Sequence, residues 1–529
     1  MSEHSIISPS INFVQVANRN PKKNFTKLPK FSKVTAEEKS HTKEDTVGHK
    51  KFLRGKTLFS FFILLLFVAA CATNPVTGKK ELSLLSTSDE IRLGEEADKS
   101  IVAQYGLYDD PELAKFVEDL GHRMAKISHR PDLPWHFRVL DSPVVNAFAL
   151  PGGYTYVTRG ILSYMNSEAE LAGVMGHEIG HVTARHGAKA YTRAQLAQVG
   201  LTAGYVFSET FREFSDIAQV GVGLLFLKFS RDQERQSDEL GVQYSTAVGY
   251  DATYMSNFFG TLDRLQEESG QSLPGWLSTH PNPEDRQEKI LQLAKQAQQD
   301  AQLSSFDRNR DSYLRRIDGI VFGEDPRQGF VENGFFYHPQ MDFQFPVPTD
   351  WQLVNSPSQV QMVSKEQNAG IQFTLSQQPD ARSAAEQFMT NSQAQLIASD
   401  YTTVNNFTTE IRESRLSTQQ GQLQVLSYFI EKGDRVFVFH GFASPGDYRQ
   451  YVSTFKYTMS HFDRLKNEQA RNKQPTRLKI ATVRRSSTLQ EFLAQHPTEK
   501  IDESKLAIIN GIELTDTVQP GDKIKVLSE

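Results

Sequence analysis

The sequence predicts a multidomain α+β chain. A mainly helical domain with a small edge-strand sheet fills residues 90–320, an α+β domain residues 330–462, and a small strand–helix–helix–strand module residues 475–529. Three observations lead there. The 529 residues exceed one ordinary domain. Apolar residues recur at helical spacing up to about residue 302, and beyond Gly329 the texture changes to short alternating runs. Hydrophobic residues at 38% and charged residues at 23% are those of a globular protein.

Taken in order, residues 1–49 are polar and Lys-rich without periodicity, and are expected to be a disordered extension. Because a secretory signal normally begins a chain, Val47 is an alternative initiation site. Residues 50–71 have the form of such a signal: a basic start (Lys50, Lys51, Arg54, Lys56), an apolar run of 13 residues from Leu58 to Ala70, and small residues at its end. A membrane-spanning helix needs roughly 20 apolar residues, so a signal is the better reading. Residues 72–89 look like a short tether.

Helical periodicity runs from Glu90 to about Lys126. Trp135 to Leu140 is strand-like, and Asn146 to Leu150, the turn Pro151-Gly152-Gly153 and Tyr154 to Thr158 suggest a hairpin. Ser167 and Glu170 have capping-box spacing and launch a helix to about His186. The apolar stretch Ile217 to Leu227 suits a buried or lid helix. Further helices are expected over Arg231–Ala247, Ala252–Glu267 and Pro283–Gln302, with a charged boundary at Ser304–Arg316. In the second domain one helix is expected near Ala384–Ile397, and Lys466–Gln474 reads as a linker.

The net charge of −5 conceals an asymmetry, since residues 1–70 hold 12 Lys/Arg against 5 Asp/Glu. The remainder carries 46 basic and 58 acidic residues, a net of −12, which argues against nucleic acid as a partner.

His177-Glu178-Ile179-Gly180-His181 is an H-E-x-x-H motif. On a helix its two histidines, four residues apart, share a face and can share a zinc ion, while Glu178 can take a proton from a metal-bound water. Zinc also needs a third protein ligand. Glu234 and Asp238 share the face of another helix, so that Glu234 can bind the metal while Asp238 accepts a hydrogen bond from a ligating histidine. The alternative is a charged solvent face. His186, five residues beyond His181 and displaced by about 140° on the wheel, is not expected to be a ligand. His338 and His440, without evident partners, are read as structural.

These residues resemble the membrane-associated zinc peptidases of the HtpX, BepA and Oma type, among the gluzincins. The likeness covers roughly Asn74 to Phe330, through Thr73-Asn74-Pro75-Val76-Thr77-Gly78, Asn146-Ala147-Phe148-Ala149-Leu150-Pro151-Gly152-Gly153, the H-E-I-G-H helix, Ser230 to Asp238, and Ser278-Thr279-His280-Pro281. Ser237 stands where that family usually has Ala. The resemblance implies one zinc ion per chain on His177, His181 and Glu234, with Glu178 as general base and then proton donor. It also implies that His280 lies near the metal, either steadying an oxyanion or closing the site at rest; a plain loop histidine is the alternative. Arg286 either assists through charge or pairs with acidic neighbours. Asn146, Ala147, Phe148 and Ala149 resemble the edge strand on which gluzincins lay a substrate, although Phe148 also suits the core.

Val68-Ala69-Ala70-Cys71 resembles the bacterial lipobox, and Cys71 is the chain's single cysteine. The resemblance implies diacylation of Cys71, and Ala72 after it implies the outer membrane, facing the periplasm. Residues 478–527 resemble a LysM-type glycan module, but Ser486-Ser487-Thr488-Leu489 departs from that family's usual loop, so a packing or protein-interaction module is an equal alternative to one that binds peptidoglycan. Together these readings give a lipid-anchored zinc endopeptidase acting on unfolded or misassembled envelope proteins, with metal-bound water as nucleophile. The alternative is a chaperone-like assembly or cell-wall-binding lipoprotein with a latent metal centre.

Overall fold

The computed structural model describes residues 71–202, 229–269, 276, 280, 285–301, 303–418 and 421–528. The expected extension, the signal up to residue 70 and the apolar run Ile217–Leu227 lie outside the described residues. Among the described residues no helix is long and apolar enough to cross a membrane. The chain divides into two compact units. The first runs to Phe330 and includes His338–Gln340 and Gln469–Glu529; the second comprises Val331–Tyr337 and Met341–Glu468.

The first unit opens with β1 (Cys71–Thr73) paired antiparallel with β2 (Lys80–Leu82). Residues 72–89, expected to be a tether, are instead part of the fold. Asn74 is buried, its Oδ1 accepts from the amides of Val76 and Thr77, and its Nδ2 donates to the Ala184 carbonyl. The periodicity between Glu90 and Lys126 is two helices, α1 (Thr87–Tyr105) and α2 (Pro111–Lys126). Gly106 with φ 71° ends the first, and Asp110 and Pro111 start the second, by side-chain capping and a preset φ. The three-stranded sheet has the order β3 (His136–Leu140), β5 (Tyr154–Thr158), β4 (Ala147–Leu150), with β3 parallel and β4 antiparallel to β5. Among the described residues β4 is thus an edge strand.

After α3 (Arg159–Tyr164) comes α4 (Glu168–Thr183), whose residues are all buried, followed by α5 (His186–Thr202). The expected capping box at α4 forms only in part. Ser167 Oγ accepts from the Glu170 amide, but Glu170 reaches past Ser167 to the Asn166 amide at 2.7 Å. Helices α6 (Arg231–Ala247), α7 (Thr253–Ser269) and α8 (Arg286–Asp300) agree with the expected positions. The charged stretch expected to mark a boundary holds α9 (Arg310–Ile317), whose Tyr313, Leu314 and Ile317 are fully buried in the same core. Charge there lies on the residues between them, which is why it misled.

The C-terminal segment has β16 (Arg477–Thr482) and β19 (Lys523–Ser528) paired antiparallel around α13 (Leu489–Leu493) and α14 (Glu503–Asn510). The strand–helix–helix–strand order is as expected, but this segment is not a separate module. Leu478, Leu489, Leu506, Ile509 and Ile524 belong to one hydrophobic cluster with Met175 and Ile179 of α4. Lys525, fully buried, donates from Nζ to the carbonyls of Ser163, Met165 and Ile509. Three acceptors match the three N–H groups of an ammonium. Burial disfavours this charge, and the Glu170 carboxylate opposes that effect.

The second unit holds a seven-stranded antiparallel sheet in the order β12 (Gln395–Val404), β13 (Phe407–Thr418), β14 (Gly421–Lys432), β15 (Arg435–Ala443), β11 (Ala369–Ser376), β10 (Gln359–Val363), β9 (Gln352–Ser356). Helices α10 (Ala381–Ser392) and α11 (Tyr448–Ser460) accompany it. The helix expected to reach Ile397 stops at Ser392, because Gln393 caps it in the left-handed conformation at φ 50°; Gln395–Ile397 begin β12. His440 is structural but not without a partner. Its Nδ1 is 2.7 Å from Ser427 Oγ and its ring stacks on Phe388.

Two measurements check these assignments. Lys525→Met leaves three buried carbonyls and Glu170 without the ammonium and should cost about 3–5 kcal/mol in urea unfolding of the first unit. Burial lowers the His440 imidazole to about 3. The unfolded chain then takes up a proton below about pH 6.5 that the folded unit refuses. Stability is therefore full above that pH and falls towards pH 3, by up to about 1.4 kcal/mol per pH unit. His440→Gln should flatten this dependence in melts between pH 6.5 and pH 4.

Candidate metal centre

Helix α4 presents His177 and His181 one turn apart towards α6, which supplies Glu234 and Asp238. Close backbone approach makes this possible. A Cβ on Gly176 would lie 2.9 Å from the Gly241 carbonyl oxygen, and one on Gly180 would lie 3.2 Å from Ser237 Cα. Ser237 is fully buried there, so only a small residue fits, which accounts for serine in place of alanine.

Four donors converge. His177 Nε2 is 3.0 Å from His181 Nε2 and 3.3 Å from His280 Nδ1, while Glu234 Oε1 is 3.1 Å from His280 Nδ1 and 3.5 Å from His181 Nε2. His177, His181, Glu234 and His280 are all buried, with ligating atoms within 4.8 Å of one another. A tetrahedron of donors about 2.1 Å from a zinc ion has edges of roughly 3.4 Å, so these spacings suit a zinc ion at their centre.

The outer partners set the inner lone pairs, with proton positions assigned from the hydrogen-bond network. His177 Nδ1 donates to Asp238 Oδ1 at 2.9 Å, leaving Nε2 free to coordinate. His186, not expected to be a ligand, has a role that wheel geometry missed: its Nδ1 lies 3.1 Å from His181 Nδ1 and its Nε2 donates to Gln236 Oε1 at 3.0 Å. His186 Nδ1 therefore accepts from His181, whose Nε2 turns to the cluster. The wheel fails because α4 ends at Thr183 and Arg185, at φ 59°, folds the chain back. Burial holds the His186 imidazole down at about 4, so it stays neutral.

Arg286, the first residue of α8, is buried and forked onto Asp238, with Nη2–Oδ1 at 2.7 Å and Nε–Oδ2 at 3.0 Å. It also lies 3.3 Å from Glu234 Oε2 and over the Phe259 ring. Of the two sequence readings, pairing with acidic neighbours is the geometry found. Burial alone would raise the Glu234 carboxyl, but His280, His177 and Arg286 outweigh it and hold it below its ordinary value. His280 stacks on Trp276, with centroids 4.3 Å apart. Burial would lower its imidazole, yet Glu234 and Glu178 raise it.

Glu178 is buried beside the cluster, with Oε1 3.7 Å from His280 Nε2 and no hydrogen-bond partner on that oxygen. Burial raises its carboxyl, against the pull of His280 and His177. In β4, Ala147 and Phe148 are buried, Phe148 stacking on Tyr156, so Phe148 is core. Asn146 and Ala149 are half-buried. Among the described residues β4 pairs only with β5. Just before it the Val145 carbonyl accepts from the Trp276 amide, which brings the His280 segment to this edge. Cys71 opens β1, and the structure describes its backbone alone.

Gly176→Val tests the contact between α4 and α6. Its side chain must push α6 away and withdraw Glu234, so zinc affinity should fall at least tenfold by competition with a chelator, with about 1–3 kcal/mol of lost stability. Undiminished affinity would contradict this packing.

The model of peptidase family M48 matches residues 111–294. The putative beta-barrel assembly-enhancing protease of Vibrio cholerae is 30% identical over 261 residues, 46% of this chain and 53% of that protein. The mitochondrial metalloendopeptidase OMA1 of Schizosaccharomyces pombe is 31% identical over 230 residues, 42% of this chain and 66% of that protein. The beta-barrel assembly-enhancing protease of Escherichia coli K12 is 29% identical over 232 residues, 42% of this chain and 47% of that protein. The chain thus spans about half the length of the bacterial relatives it matches. The span from Pro111 to Ala294, which contains every residue of the buried donor cluster, is thus a domain of this chain that matches peptidase family M48.

Proposed function

We propose that the chain is a lipid-anchored, zinc-dependent endopeptidase that hydrolyses peptide bonds of misfolded or misassembled envelope proteins. One observation carries the reading: donors on His177, His181 and Glu234 are spaced as zinc requires, with the Glu178 carboxylate beside them and one of its oxygens free of hydrogen bonds. A zinc ion held there would supply Lewis acidity, polarising a peptide carbonyl and easing loss of a proton from water.

The chain's own residues supply the rest. Glu178 takes that proton, its carboxyl raised by burial towards the range where a general base can later return the proton to the departing amine. Asp238 and His186 hold the ligand imidazoles in the tautomers that point Nε2 inward. Arg286 keeps Asp238 and Glu234 charged and fixed. The edge of β4, which pairs only with β5 among the described residues, fits an extended substrate added as an antiparallel strand, bound by backbone hydrogen bonds indifferent to sequence. His280 Nδ1 stands where a fourth donor would, which favours a resting form closed by His280; as it swings out, its imidazole can steady the oxyanion.

Anchoring follows from Cys71 as a diacylated residue, with Ala72 favouring the outer membrane and the periplasm. The curated names of the bacterial relatives, beta-barrel assembly-enhancing proteases, support envelope proteins as substrates. The shared core of residues 477–528 with α4 favours a supporting role for that segment over independent capture of peptidoglycan.

Glu178→Gln should retain one zinc ion per chain and lose cleavage of an unfolded casein at least a hundredfold, measured by metal analysis beside a proteolysis assay; undiminished cleavage would refute the mechanism. His280→Ala, with zinc retained, should change the cleavage rate. An unchanged rate would remove the closed resting form, and wild-type protein that binds zinc but cleaves nothing would favour the latent, chaperone-like reading.

A further inference from the structure

The two edges of the seven-stranded sheet differ. β9 is short, at five residues, and Pro357 follows it. β12 has ten residues and, among the described residues, pairs only with β13. Its residues are mostly exposed, Leu396 at 51%, Ile397 at 46% and Tyr401 at 61%. Every second residue of such a strand turns its N–H and C=O outward, which makes a row of donors and acceptors. Folded proteins usually blunt a long edge with lysine, proline or a bulge. β12 contains neither lysine nor proline, and its irregularity lies near its start, between Leu396 and Ala398. From Ala398 to Val404 the register with β13 is unbroken, with Asp400 as the one charge in that stretch.

We propose that β12 is a docking edge for an extended polypeptide segment, which adds to the sheet as an eighth strand. The chemistry names the partner: alternating donors and acceptors at strand spacing are matched by an extended backbone and by little else. Ser399, Tyr401 and Thr403 share one face of β12, so the segment places an apolar or β-branched side chain against Tyr401 as a cross-strand pair. Area decides against a second folded copy. A ten-residue edge is about 34 Å long, and one strand laid along it covers on the order of a few hundred Å². A stable complex buries roughly 1,200 Å² or more. An edge of this size suits a transiently bound segment. The inference concerns binding by the α+β unit and stands apart from peptide-bond hydrolysis.

The test uses the full chain carrying Glu178→Gln and fluorescence anisotropy. One probe is a labelled ten-residue peptide of alternating Thr and Val with terminal lysines; the second has the same sequence N-methylated through its central six residues. The first should bind, and the second at least tenfold more weakly, because methylation removes the donors. Tyr401→Lys with Thr403→Lys should weaken binding of the first probe at least tenfold with an unchanged melting temperature, while Val354→Lys on β9 should leave it unaltered. Equal binding of the two peptides, no binding of either, or undiminished binding by the stable double variant would overturn the proposal. So would a dimer in sedimentation that the double variant dissolves, since that result assigns the edge to a second copy. Should the double variant melt earlier, the comparison of the two peptides on the unaltered edge decides alone.

Discussion

The backbones of α4 and α6 touch because Gly176 and Gly241 carry no side chains to hold them apart; a Cβ on Gly241 would lie 3.0 Å from the His177 amide nitrogen. That contact sets the depth at which Glu234 and Asp238 meet the two histidines. Glycine weakens a helix by up to about 1 kcal/mol per residue, and α4 contains Gly173, Gly176 and Gly180. The loss is offset by burying every residue of the helix in the surrounding core.

Most of the charge in this buried site is answered by a partner, although Glu178 Oε1 and Arg286 Nη1 have no hydrogen bond among the described residues. Asp238 lies between His177 and the Arg286 fork, Glu234 meets His280 and Arg286, and His186 closes a chain from His181 to Gln236. The C-terminal end of α4 is held in the same way from the N-terminal segment. Glu90 of α1 pairs with both Arg130 and Arg185, Arg130 donates to the Val182 carbonyl, and Asn74 donates to that of Ala184. These satisfy carbonyls that a helix end leaves without partners. Just before the N-terminal end, Lys525, more than 350 positions away in sequence, donates to the carbonyls of Ser163 and Met165 at the end of α3. Helix α4 is therefore held at its C-terminal end in part by the segment that follows the proposed lipid anchor, while the last described strand holds the turn that leads into it.

Elements with strong local signals were legible in advance. Helices α6, α7 and α8 announce themselves through periodicity, and the antiparallel pairing of β4 with β5 through the Pro151-Gly152-Gly153 turn. The misreadings arose where a neighbour distant in sequence decided the outcome. Ser304–Arg316 looked like a boundary until the burial of Tyr313 and Leu314 was known, and residues 72–89 looked like a tether because Asn74 has its partner at Ala184.

Local spacing alone grouped His177 with His181 and Glu234 with Asp238. Two histidines four apart on a helix share a face whatever surrounds them, and Glu234 with Asp238 obeys the same periodicity. The folded arrangement settled how those faces meet, that the left-handed turn at Arg185 brings His186 behind His181, that Arg286 forks onto Asp238, and that the last strand belongs to the core of the first unit. Spacing along one helix is fixed by covalent geometry and local hydrogen bonds. The approach of separate helices is fixed by which side chains are small enough, and which buried charges require a partner, across the whole folded unit.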